Sequence, residues 1–104
     1  MITFEYLHPG ANADHVGLLP EFLDERDPRP AKEQFHQNYS HGGGWFPIQG
    51  FERDPRNNVL RYPGDPPLQP LARMRLRDEI ILVYQYGFVA IIQKDGSFAV
   101  ARMD

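Results

Sequence analysis

Ser40-His41-Gly42-Gly43-Gly44-Trp45 sets three consecutive glycines between an imidazole and an indole. Backbone without Cβ atoms can aim several N–H groups at one point. Residues 42–44 can therefore form a nest for an anion, with His41 and His36 beside it as proton donors or acceptors. The same residues can also simply end a helix. A helix finishing near Ser40 needs a left-handed residue just beyond it, and Gly42 provides that conformation without steric cost. The other glycines then allow close backbone packing, with Trp45 and Phe46 anchoring the loop in the core. His36 and His41 stand five apart, on different sides of a helix, whereas metal-binding helices space their ligands by three or four. His8 and His15, with Asp14 between them, have no metal-ligand spacing either, so neither a metal nor a cofactor is expected.

Carboxylates are plentiful, among them Asp24, Glu25, Asp27, Glu52, Asp54, Asp65, Asp78 and Glu79. Acid–base cleavage of a glycosidic bond needs two of them across a cleft, and no motif singles out a pair, so they read as surface charge. Arg73, Arg75 and Arg77 alternate with Met74 and Leu76, which places the guanidinium groups on one face of an extended segment. Such a strip suits a phosphate or an acidic partner; equally, it protects a solvated edge strand from aggregation. The pentapeptide ERDPR occurs at residues 25–29 and again at 52–56. The surroundings of the two copies do not match and Asp-Pro favours turns, so both mark local breaks.

His41–Trp45, read as HGGGW, resembles the oxyanion-hole loop of the hormone-sensitive-lipase branch of α/β-hydrolases, where glycine N–H groups stabilise a tetrahedral oxyanion. That chemistry also requires a G-x-S-x-G nucleophile elbow. The two serines, Ser40 and Ser97, lie in no such pattern, so esterase activity is not expected.

At 104 residues the chain suits a single domain, 1–104, with one modest core. Seven Phe, five Tyr and one Trp argue for a folded globule, and ten prolines argue for much stiff irregular backbone. The absence of cysteine rules out disulfides and thiol nucleophiles and agrees with a cytoplasmic location. A net charge of −3 disfavours sequence-independent nucleic-acid binding. No leader-like apolar segment opens the sequence, and the longest apolar run, Ile80–Val83, is too short to span a bilayer.

The positioning elements follow from periodicity. Ile2–Leu7 alternates as a strand and ends at His8-Pro9-Gly10. Leu19, Phe22 and Leu23 form the stripe of a helix that stops at Asp27-Pro28; a second helix runs from near Pro30 to about Ser40. Trp45, Phe46, Ile48 and Phe51 make an aromatic cluster, Val59–Tyr62 a short strand, and YPGDPPLQP an extended connector. Glu79–Tyr86, Phe88–Gln93 and Ser97–Arg102 read as consecutive antiparallel strands, with a turn at Lys94-Asp95-Gly96. The expected class is α+β: a three-stranded meander over about 79–102 covered by two short N-terminal helices, with an additional N-terminal strand and a Pro/Gly-rich irregular middle.

GGGWFPIQGF, RYPGDPPL and AIIQKDGSFAVARMD together resemble a group of small uncharacterised proteins of bacterial and bacteriophage genomes, which implies a phage or prophage setting and no particular chemistry. From the residues themselves, the leading expectation is a non-catalytic protein-interaction module. Its contact residues would be Trp45, Phe46, Phe51 and Tyr62, with Arg73, Arg75 and Arg77 at the rim, since aromatic residues and arginine dominate interfaces. The alternative is an anion-binding or small-molecule-binding protein, or an enzyme, that uses His36 and the His41–Gly44 loop. Self-association through an open sheet edge into a homodimer is a third.

Overall fold

β-Branched and aromatic residues concentrate after Pro70, and there the chain is strand interrupted only by tight turns. The computed structural model describes residues 2–7, 23–34 and 45–103. Its strands are β1 (Thr3–Tyr6), β2 (Trp45–Ile48), β3 (Glu52–Arg53), β4 (Leu60–Arg61), β5 (Pro70–Leu76), β6 (Glu79–Tyr84), β7 (Phe88–Ile92) and β8 (Phe98–Met103). Six form one antiparallel sheet in the order β1-β5-β6-β7-β8-β2, and β3 pairs with β4 in a separate two-stranded sheet.

Alternation along the central strands sorts their side chains onto two faces. One face carries Met74, Leu76, Ile81, Val83, Val89 and Ile91, packed with Leu23 and Ala31 of the 23–34 segment. The other carries Leu82, Tyr84, Ala90 and Val100, packed with Leu60 and Leu68. Both faces are buried, which is why EIILVY and FVAII are nearly continuous apolar runs rather than alternating ones. Each such large side chain contributes about 1.5–3 kcal/mol by leaving water.

Turn chemistry sets the strand ends. Gly96 takes φ +88 between β7 and β8, and its N–H donates to the Gln93 carbonyl at 2.9 Å. Tyr86 (φ +62) and Gly87 (φ +81) reverse the chain between β6 and β7. The proline-rich connector is pinned where Leu60 and Leu68 exchange backbone hydrogen bonds at 3.1 and 2.9 Å. Pro70, which has no N–H to donate, opens β5 at a register irregularity.

The expected α+β class is corrected: the described residues are mainly β. The three C-terminal strands belong to a six-stranded sheet rather than standing alone under helices. Residues 31–34 are helical, and the rest of the second expected helix lies outside the described residues. Of the first expected helix, Leu23–Arg26 is described, and it contains a turn at 25–26 instead. Local competition explains this, because Asp24 and Asp27 accept the N–H groups of Arg26 and Arg29 at 2.9 Å and so divert the backbone from helical bonding. The arginine-bearing segment is also not an edge: β5 lies between β1 and β6, and the edges are β1 and β2.

Candidate functional site

Two aromatic residues of the middle segment, Phe51 and Tyr62, meet on the face of the second core. Phe51 precedes β3 and packs against Tyr62 at 5.0 Å between ring centroids and against Phe88 at 5.4 Å. The approach of Tyr62 depends on Gly50, where an added Cβ would stand 3.0 Å from the ring in a backbone of φ +100. Phe88 opens β7, and Arg102, opposite it on β8, lies over its ring at 5.8 Å. Pro66, Pro67 and Leu68 form a facing wall, and Tyr86 stands at the mouth, 75% exposed. The result is a cleft of about 210 Å³ with Asp65 and Gln85 as its polar lining groups.

Beneath this region lies a buried polar group. The Tyr84 hydroxyl donates to the Asn58 carbonyl at 2.6 Å, and burial pushes its phenol well above the ordinary range, so it stays protonated. Arg53 donates to Asn58 Oδ1 at 2.7 Å and lies 5.9 Å from the Phe98 ring centroid, with its Nε buried and unpartnered. These groups hold Asn58 in its left-handed conformation (φ +61) and so shape the loop that enters β4.

A second, wider depression of about 430 Å³ lies between Pro28, Pro30 and the two hairpin ends 77–79 and 93–95. Its charged groups are engaged in structure. Arg77 donates to the carbonyls of Glu25, Asp27 and Arg29 at 2.8–3.0 Å. Glu79 accepts the Ala31 N–H at 2.8 Å, Asp95 accepts from Ser97, and Lys94 pairs with Asp78 at 3.7 Å. The first cleft is smaller, but its aromatic walls are not consumed in this way.

Of the residues named from sequence, Phe51 and Tyr62 are brought together in the cleft. Trp45 and Phe46 place their backbone in β2, and their side chains lie outside what is described. The three arginines do not form one strip. Arg73 pairs with Glu5 across β1–β5, Arg75 lies opposite Thr3 and Ile80, and Arg77, at φ +55, turns onto the 25–29 backbone. His36 and His41–Gly44, the anion-nest alternative, fall outside the described residues. The sequence reading missed Tyr86, Phe88, Pro66 and Pro67 as walls of one site. The Tyr86-Gly87 turn was the available signal, since a turn with positive φ exposes its side chains at a strand end.

No protein-family model, curated protein or solved structure matches the chain. Among the described residues no helix is long and apolar enough to cross a membrane.

Proposed function

We propose that the protein is a non-catalytic binding module that receives an extended, proline-containing segment of a partner protein in the cleft between Phe51, Tyr62, Tyr86 and Phe88. The observation that carries this reading is the cleft itself: Phe51 contacts Tyr62 at 5.0 Å and Phe88 edge to face at 5.4 Å, Pro66 and Pro67 line the same cleft, and Tyr62 (38%) and Tyr86 (75%) keep much of their surface exposed. Polyproline-II segments suit such aromatic walls. Their conformation is already extended, and proline brings no N–H that an apolar wall would leave unpaired. Asp65 provides an anionic group for a basic residue next to the proline. The setting attached to this reading is cytoplasmic and phage-related, on composition and resemblance alone.

The test is a titration of the ¹⁵N-labelled protein with a panel of proline-rich peptides, with and without flanking arginine. Shifts should concentrate at Phe51, Tyr62, Gln85, Tyr86 and Phe88. Tyr62→Ala should weaken binding by about ten- to thirty-fold, the usual effect of removing an aromatic anchor. Absence of binding across the panel, or binding indifferent to Tyr62→Ala, would refute the reading.

A further inference from the structure

The two edges of the large sheet are built differently. β2 carries Pro47, whose missing N–H makes that edge a poor template for another strand. β1 is Thr3-Phe4-Glu5-Tyr6, four residues of which three are strong strand formers, without proline or lysine, and all four are exposed. Among the described residues no strand pairs with its outer side. We propose that this edge pairs with β1 of a second copy of the chain, antiparallel about a two-fold axis through Phe4, joining two six-stranded sheets into one.

The backbone decides which groups are available. The Leu7 N–H donates inward to the Leu71 carbonyl at 2.8 Å, in the register that pairs Glu5 with Arg73 and Thr3 with Arg75. In an antiparallel ladder the bonding direction alternates residue by residue. Thr3 and Glu5 therefore bond inward with Leu7, while Ile2, Phe4 and Tyr6 turn their N–H and C=O groups outward. That outward set is symmetric about Phe4. Two copies sharing an axis there pair Phe4 with Phe4 and Ile2 with Tyr6, each exchanging both backbone bonds. Thr3 then stands opposite Glu5, so that a hydroxyl meets a carboxylate. A register centred on Glu5 would set two carboxylates directly opposite each other and lose a bonded pair, and like charges so placed are destabilising.

The side chains favour a second copy as the occupant. Phe4 stands opposite Met74 and Tyr6 opposite Ala72, so both rings lie on the face of the first core. They contact each other edge to face at 5.0 Å yet remain 37% and 46% exposed. A two-fold axis perpendicular to the sheet puts the same face of both copies on the same side. The Phe4 and Tyr6 rings of both chains then form one aromatic surface, and the Glu5–Arg73 pairs of both lie on the opposite side.

The test uses the full chain. Sedimentation velocity between about 1 and 100 μM should show a concentration-dependent dimer, as expected for a short edge-to-edge contact. Phe4→Lys places two ammonium groups across the axis and should raise the dissociation constant at least about tenfold. An equimolar mixture of Phe4→Lys and Phe4→Glu should restore the dimer, which a folding defect would not do. The native chain has no cysteine, and residues bonded across such a pair stand about 5.5 Å apart between Cα atoms, within disulfide reach. Under oxidation Phe4→Cys should therefore cross-link and Glu5→Cys should not. A wild-type monomer throughout the range overturns the proposal. So does a dimer unchanged by Phe4→Lys, or one that Glu5→Cys cross-links instead.

Discussion

Gln34 is fully buried, and its amide holds together a loop that has no regular structure of its own. Its Oε1 accepts the Asp24 N–H at 2.8 Å, and its Nε2 donates to the Arg29 carbonyl at 2.8 Å. Truncating it leaves buried backbone groups unpaired as well as a cavity. Gln34→Ala should cost about 2–4 kcal/mol, read as a lower urea midpoint with unchanged slope. Nothing local singles out Gln34 in the sequence, where it is one polar residue among helix formers. The aspartate turns, by contrast, were legible. Asp27 Oδ1 accepts the Arg29 N–H at 2.9 Å, and Asp54 Oδ1 accepts the Arg56 N–H at 2.9 Å, so both copies of Asp-Pro-Arg make the same side-chain-to-backbone bond. Their neighbours diverge for tertiary reasons: the Arg26 side chain is 88% exposed, whereas its counterpart Arg53 tucks against Asn58 and Phe98.

The 23–34 segment is joined to the sheet by the burial of Leu23 and Ala31 and by polar bonds to one hairpin end. Arg77 reaches the carbonyls of Glu25, Asp27 and Arg29, and Glu79 accepts from Ala31. Arg77→Ala should release the segment while leaving β6 and β7 intact. Amide exchange at residues 25–34 should speed up by about ten-fold or more, with protection of Ile81–Val83 and Val89–Ile91 unchanged. Equal loss of protection in both regions would show that the segment is part of the global fold instead. Alternation alone placed Arg77 in line with Arg73 and Arg75. The left-handed turn at Arg77 breaks that line, and a period-two pattern cannot foresee where a strand stops. The same pattern did identify the central strand, because Phe88–Ile92 is apolar at every position and a strand between two covered faces must be. The first expected helix gives way over the described residues 23–27, where Asp24 and Asp27 cap their own turns and Pro28 follows.

At the scale of the molecule, these aspartates should make stability fall in acid. Arg29, through its side chain and its backbone N–H, holds the Asp27 carboxyl at about 2 instead of its ordinary 3.8. The backbone N–H groups of Arg26 and Arg56 lower Asp24 and Asp54, and the Ser97 hydroxyl lowers Asp95. Depressed carboxylates bind protons less readily in the folded chain than in the unfolded one. Their stabilisation is therefore complete at neutral pH and is lost as the pH falls from about 4 toward about 2. The urea midpoint should drop across that window, and Asp27→Asn should flatten the drop; an unchanged profile in the variant would assign acid sensitivity elsewhere. The sequence by itself determined the strands of the C-terminal third, the hairpin turn at Asp95-Gly96 and the aspartate turns, because each depends on residues adjacent in the chain. Tertiary structure alone decided the order of the sheet, the exposed edge at β1 and the gathering of Phe51, Tyr62, Tyr86 and Phe88 into one cleft. Those features join residues tens of positions apart, and they follow from which faces are left to be buried once the local elements have formed.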